Sequence, residues 1–348
     1  SNLPEPTIGP NSDTQADDYF ETVLYEGNGS TQNIAVNFKP DWTWIKNRDA
    51  TDSHQLFDST RLATNALEAD LNTAEVANDD TLTAFISTGF SLGDDVTVNT
   101  DDESYVAWNW LANGGTTVTN EAGSIDSTVQ ANTTAGFSIV TFAADNTADR
   151  TVGHGLGVAP KMIITKGRGQ ITGWYTYHYN IGANKYVRLE TNAGSATSTG
   201  LWGNTHPTSS VFTIGNNHAG YNVGTAVAYC FAEVEGYSKF SSYIGRAGGA
   251  DSTFVFTGFR PRFLMIKRFD AVNHWHIFDT TRGTINPLGS GSLLLADITD
   301  TEASLGATLD IYSNGFKAKA NSGGYSVAAA TYLYMAFAET PFKYANAR

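Results

Sequence analysis

The stretch Phe259-Arg-Pro-Arg-Phe-Leu-Met-Ile-Lys-Arg-Phe-Asp270 decides how this sequence reads. A proline is followed by an apolar run and then by a lysine six residues on. The same arrangement stands in Phe38-Lys-Pro-Asp-Trp-Thr-Trp-Ile-Lys-Asn-Arg-Asp49 and in Gly157-Val-Ala-Pro-Lys-Met-Ile-Ile-Thr-Lys-Gly-Arg168. Pro40, Pro160 and Pro261 are thus separated by 120 and 101 residues, and the lysines are Lys46, Lys166 and Lys267. A fixed period of this kind is the mark of a duplicated structural unit.

Working outward, the register continues. His54-Gln-Leu-Phe-Asp-Ser-Thr-Arg61 lies over Trp275-His-Ile-Phe-Asp-Thr-Thr-Arg282, and Trp174-Tyr-Thr-Tyr-His178 takes that place in the middle copy. Next come Thr88-Gly-Phe-Ser-Leu-Gly93, Ser210-Val-Phe-Thr-Ile-Gly215 and Asn314-Gly-Phe-Lys-Ala-Lys319. Each copy closes on an apolar run: Tyr105-Val-Ala-Trp-Asn-Trp110, Val227-Ala-Tyr-Cys-Phe-Ala-Glu233 and Leu333-Tyr-Met-Ala-Phe-Ala-Glu339. These blocks are short, rich in aromatic and β-branched residues, and bounded by Gly, Asn, Asp or Pro, which predicts strands. Phe263-Leu-Met-Ile266 is continuously apolar, as in a strand covered on both faces. The prolines are expected just ahead of their strands, where a missing N–H costs no ladder bond. Thr60 to Ala77 has a helical look, but it aligns with Tyr186-Val-Arg-Leu and Leu293-Leu-Leu-Ala, so strand is predicted there too.

The expected fold is all-β: three tandem diverged β-sandwich, jelly-roll-like domains with a short N-terminal arm. The arm is placed at 1–19 and the repeats at 20–112, 134–236 and 237–348, with a polar segment at 113–133 read as a linker or an extended strand. Three similar units could stand about a pseudo-threefold axis, imitating a trimer, although no residue pattern by itself requires it.

Aromatics make up 12% of the chain, which suits half-buried pleated surfaces. The formal net charge of −14 repels phosphate backbones, so nucleic acid is not expected as a partner. Cys230, the one cysteine, lies in an apolar run without basic neighbours and reads as a small buried hydrophobe, consistent with folding in a reducing cytoplasm. No apolar run reaches membrane-helix length, so no membrane insertion is expected, and Ser1 to Pro10 has neither the basic region nor the apolar core of a secretion signal.

Candidate chemistry is sparse. His154 lies between glycines, which a tight turn explains as well as catalysis does, and neither other copy has a histidine there. His274 and His276 would share one face of a strand but fall short of a zinc ligand set, so exposed sheet residues are expected. Asp58 with Arg61, and Asp279 with Arg282, read as turns in which the acid caps backbone N–H groups and the arginine neutralises it. Asp94-Asp95 and Asp101-Asp-Glu103 offer oxygen ligands that could hold Ca²⁺, though their spacing matches no EF-hand loop; no other cofactor is expected. Trp174, Tyr175, Tyr177, Tyr179 and Trp202 form an aromatic group readable as a glycan platform, as core or as an interface. The three matched lysines are expected to guard strand edges or to form ion pairs. No phosphate loop or nucleophile elbow occurs, and no catalytic residue is assigned.

One run carries a resemblance. Thr151-Val-Gly-His-Gly-Leu-Gly-Val-Ala-Pro-Lys-Met-Ile-Ile-Thr-Lys166 resembles a repeat family of uncharacterised structural and tail-fibre-like virion proteins of tailed phages, many of them marine. Ala135-Gly-Phe-Ser-Ile-Val-Thr-Phe142, the segment Ala228 to Phe240, Tyr25 to Thr31 and Ala338 to Tyr344 fit the same pattern. The resemblance implies a virion protein but no particular place on the virion; the expected role is a structural one, a fibre, appendage or capsid decoration component made in the host cytoplasm and acting through assembly and adhesion rather than catalysis. It implies self-association or other virion proteins as partners. The alternatives are a host-attachment adhesin that binds surface glycan and, beyond that, a polysaccharide depolymerase.

Overall fold

The computed structural model describes residues 8, 14–147, 149–215, 223–246, 252–283, 286, 292–303, 309–319 and 324–339. Apart from residues 8 and 14–19, the expected N-terminal arm lies outside them. The regular structure of the described residues is almost wholly antiparallel strand, in three large sheets and three small ones.

Sheet I runs in the order Phe20–Glu26, Ser104–Trp110, Trp42–Asn47, Gln55–Asp58, Leu62–Glu68, Val76–Ala77. Sheet III repeats its first five places with Ser238–Ile244, Thr331–Ala338, Pro261–Arg268, Trp275–Asp279 and Leu294–Leu295. Sheet II does so with Phe137–Asp145, Val223–Phe231, Met162–Gly167, Tyr175–His178, Lys185–Arg188 and Ala196–Thr197. It is widened by Ser127–Asn132, which pairs with Phe137–Asp145, and by Val118–Asn120, which pairs with Ser127–Asn132. The segment read as a linker or extended strand is therefore two strands of the second unit, and the polar residues between them are their turn. Pro261 opens its strand, with the register shift between Pro261 and Phe263 that a missing donor calls for.

Each large sheet carries a small one on its outer face. Gln32–Ala35, Gly89–Leu92 and Leu82–Ile86 form the small sheet of unit 1. Arg150–Gly153 with Val211–Ile214 forms that of unit 2, and Thr253–Phe256, Gly315–Ala318 and Leu309–Tyr312 that of unit 3. The sandwiches are thus unequal, a broad wall with a narrow cover, rather than the two matched sheets of a jelly roll. In unit 1, Ile45, Phe57, Tyr105 and Ala107 pack under Ile34, Phe90 and Leu92. In unit 2, Ile163, Tyr177, Ala228 and Cys230 pack under Val152, Phe212 and Ile214.

The other face of each wall is equally apolar, and there the three units meet. Trp42, Trp44, Trp108 and Trp110 of unit 1 join Met162, Ile164, Tyr229 and Phe231 of unit 2 and Phe263, Met265, Met335 and Phe337 of unit 3 in one cluster, together with Ile8. The rings touch across every boundary: Trp42 to Tyr229 at 4.5 Å, Phe231 to Phe337 at 6.3 Å, and Phe20 to Phe337 at 5.0 Å. Matched positions meet at two of the boundaries, Trp42 with Tyr229 and Phe263 with Trp108 at 5.8 Å, and all three walls face the one cluster, so they surround a common axial core in pseudo-threefold fashion. This is why the strands read as continuous apolar runs, since both faces are covered. Each buried indole removes on the order of 200 Å² from water, about 5 kcal/mol of apolar transfer before entropy is charged. The units are therefore bound into one body rather than strung in tandem.

Candidate functional site

The recurrent residues gather at the seams between units. Fourteen residues after the aligned prolines stand His54, Trp174 and Trp275, all buried. Trp174 Nε1 donates to the Glu68 carbonyl of unit 1 at 2.8 Å, and Trp275 Nε1 donates to the Arg188 carbonyl of unit 2 at 2.8 Å. His54 Nε2 lies 3.0 Å from the Leu295 carbonyl of unit 3. Glu68, Arg188 and Leu295 hold the same place in their sheets, opposite Gln55, Tyr175 and His276. The contacts run from 2 to 1, from 3 to 2 and from 1 to 3, so the ring closes. Main-chain bonds seal it: Glu75 N–H to the Arg168 carbonyl, Ser195 N–H to the Phe269 carbonyl and Glu302 N–H to the Arg48 carbonyl, at 2.8, 2.7 and 2.9 Å.

An acid steadies each seam residue. Asp70, Glu190 and Asp297 accept the main-chain N–H of His54, Trp174 and Trp275 at 2.8, 2.9 and 2.9 Å. Burial pushes the Asp70 carboxyl above its ordinary range, and burial holds the His54 imidazole well below its own, so that ring is neutral. His54 Nδ1 accepts from Trp44 Nε1 at 2.9 Å, which leaves Nε2 as the protonated nitrogen and the donor to Leu295.

Lys46, Lys166 and Lys267 do not guard edges. Each sits in an inner strand, fully buried, on the axial face where its wall reaches the seam. Lys46 Nζ donates to the Ala50 carbonyl at 3.0 Å, and Lys166 Nζ donates to Thr172 at 2.7 Å and, across the seam, to Asn72 at 3.3 Å. Lys267 Nζ bonds the Asn273 carbonyl and reaches Thr191 of unit 2 at 3.4 Å. Burial pushes all three down to about 8 against the pull of nearby acids, Glu190 for Lys166 and Asp297 for Lys267. Their ammonium donors fasten loop carbonyls that have no strand partner.

Asp58 and Asp279 form the predicted turns and do more. Asp58 accepts the N–H groups of Thr60 and Arg61, the Arg61 guanidinium, and the Tyr229 hydroxyl of unit 2 at 2.7 Å. Asp279 accepts Thr281, Arg282 and, at 3.0 Å, Trp108 Nε1 of unit 1. Glu75 then bridges Arg61 to Arg168 of unit 2, and Glu302 bridges Arg282 to Arg48 of unit 1. Burial alone would raise Glu75, but the two guanidinium groups hold it below the ordinary carboxylate range. Between units 2 and 3 this network is missing. The matched residues are His178, Ile181 and Ser195, and the facing side chain is Met335, which cannot donate. Burial pushes His178 down to about 3, so a neutral ring fills the place of the carboxylate.

The aromatic group divides. Trp174 is a seam residue; Tyr177 and Trp202 are buried under the cover of unit 2, their rings 5.7 Å apart. Tyr175 is half-buried against Tyr186, and Tyr179 alone is well exposed, with Lys161 Nζ 3.8 Å above its ring. Trp174, Tyr177 and Trp202 are thus core or interface residues whose ring faces are covered, and of the group Tyr179 and part of Tyr175 remain open to solvent. His154 is buried at a turn, bonded to the Thr208 carbonyl and accepting from Leu156 N–H, beside Gly155 with φ +73°. His276 is buried against Tyr325 and Phe278 rather than exposed, because unit 3 folds Gly324 and Tyr325 over it. His274 pairs with Asp297 at 2.9 Å. Burial pushes the Cys230 thiol up, as its apolar setting implies. Among the described residues no three His, Cys, Asp or Glu side chains converge as metal ligands, and Asp95 spends its carboxylate capping Thr97 and holding Asn78. No helix among them is long and apolar enough to cross a membrane.

The sequence pattern did not single out the acids Asp70, Glu190 and Asp297 or the bridging Glu75 and Glu302. A signal existed: acids stand 30 residues after Pro40 and Pro160, and 36 after Pro261, the difference being an insertion in unit 3.

Fold and seams define an all-β repeat protein whose three units close on one another around a single core. A family model described as Domain of unknown function (DUF7483) matches residues 15–341, and the chain belongs to that family. No curated protein matches it.

Proposed function

We propose that this chain is a structural component of a phage virion, a fibre, appendage or capsid decoration protein that works by assembly and adhesion contacts. What carries the reading is where the repeated residues go. Lysine, seam residue and acid recur in every unit, and they gather where the units meet: the seam residues bond across each boundary and the acids fix those residues in place. A self-closed body that turns its small covers and loops outward suits a part built to be stacked or attached. The net charge of −14 favours solubility at high copy number. The resemblance of Thr151 to Lys166 to phage structural repeats points the same way.

The experiment is mass spectrometry of purified virions from a phage that encodes the chain, with immunogold labelling to place it. Its peptides are expected at a copy number comparable to known structural proteins. Absence from every particle would overturn the reading. Release of reducing sugar from host envelope by the pure protein would replace it with a depolymerase.

A further inference from the structure

Unit 3 differs from its siblings on the outside of its cover. Phe254 and Phe256 point outward from Thr253–Phe256, at 46% and 64% exposure, with Tyr312 at 39% and Ile244 at 62% nearby in the same unit. Val255 faces Phe316 as Ile34 faces Phe90 and Val152 faces Phe212. By that register the place of Phe254 is held by Asn33 and Thr151, and the place of Phe256 by Ala35 and Gly153. The aromatic face therefore belongs to unit 3 alone and is not a requirement of the fold. Phe254 and Tyr312 meet edge to face at 5.7 Å, a preformed apolar surface of the kind that marks a contact site.

The face is also basic. Lys317 stands opposite Phe254 on one side and Asp310 on the other, the Asp310 carboxylate being ion-paired to Lys319 at 2.5 Å, and Arg246 lines a shallow groove of about 500 Å³ with Ile244, Ser252 and Phe254. Neither Lys317 nor Arg246 forms an ion pair among the described residues. On a chain of net charge −14, such a spot attracts what the rest of the surface repels, namely another acidic surface. Unit 1 presents one. Asp79, Asp80, Asp94, Asp101 and Asp102 are exposed and without ion pairs among the described residues, and Val96 stands among them at 63% exposure. The loops bearing Asp80 and Asp95 are tied together by a main-chain bond of 3.0 Å, so much of this acidic end is already fixed.

We propose that the outer face of unit 3 seats a second copy of this chain, which brings the acidic loops of its unit 1 against Phe254, Phe256, Arg246 and Lys317. Face and loops lie on different units, so one such contact leaves a face and a set of loops for a second, which either closes the pair reciprocally or repeats along a row or a ring of copies. The inference stands apart from the virion reading, since a chain with another role could associate in the same way.

The test is sedimentation of the full chain by analytical ultracentrifugation at low salt, with two variants. Phe254→Ser with Phe256→Ser disables the face; Asp94→Lys with Asp101→Lys and Asp102→Lys disables the loops. The parent is expected to form species larger than a monomer. Each variant is expected to weaken association at least tenfold while keeping the parent's circular dichroism. Mixed together they are expected to form one-to-one dimers, because each supplies what the other lacks. Should the loop variant lose its dichroism, Arg246→Glu with Lys317→Glu probes the same charge pairing from the other side and is expected to be monomeric. A parent that stays monomeric at high concentration, a face variant that still assembles, or folded variants that ignore each other would overturn the proposal.

Discussion

Consider Asp58→Ala. The carboxylate it removes accepts four bonds: two main-chain N–H groups, the Arg61 guanidinium and the Tyr229 hydroxyl. Arg61 is left fully buried, with Glu75 as its remaining anion and the carbonyls of Leu56 and Asn65 beside it. Removing one partner of a buried pair costs about 3–5 kcal/mol, because the other charge stays desolvated. With a urea slope of about 3 kcal/mol/M, the midpoint falls by about 1 to 1.7 M. Asp58→Asn, which keeps an acceptor for the turn, is expected to cost about half as much. The seam between units 2 and 3 supplies an internal control, since it solves the same problem with His178, Ile181 and Met335. Asp58→His, Arg61→Ile and Tyr229→Met together copy that solution and are expected to recover at least half of the loss. The measurement is equilibrium urea unfolding followed by tryptophan fluorescence. A single variant within 1 kcal/mol of the parent, or a triple variant worse than the single one, would refute the reasoning.

Further outcomes follow from the same structure. Heat or urea should unfold the chain in one transition, since the axial core draws on all three units; three resolved steps in calorimetry would contradict it. The three lysines, pushed down to about 8, hold fewer protons in the native chain than in the unfolded one above that pH. Stability should therefore rise between pH about 8 and 10, and less steeply in Lys166→Met, as read by urea midpoints along a pH series. Cys230 should resist thiol reagents in the native chain and react stoichiometrically once unfolded, timed by a colorimetric thiol assay.

The repeat and its strands were legible because they are local. Proline, apolar run and lysine lie within a dozen residues, and the Asp–Arg turn within four. What the pattern could not say is which apolar face looks at which partner. Trp44 and Ile45 are equally apolar, yet one faces the axis and the other the cover. The lysines read as edge residues because a charge at a strand end normally marks solvent; here neighbouring loops supply carbonyls and the ammonium is buried. The contact that closes the ring, Arg48 to Glu302, spans 254 residues, beyond any window of periodicity. Trp174 and Trp202 could be read as glycan platform, core or interface, because composition carries no record of what folds over a side chain; both are buried. Among the described residues the exposed rings include Phe254 and Phe256, at positions where the siblings have small or polar residues.

Joining the three units in one chain has a genetic consequence. In a trimer of identical subunits every substitution is made three times over, so a change that suits one boundary is imposed on all. Here a single codon alters a single boundary. The histidine at position 178 could replace an aspartate without the other two boundaries paying for it, and Phe254 could arise on one flank without making the whole circumference adhesive.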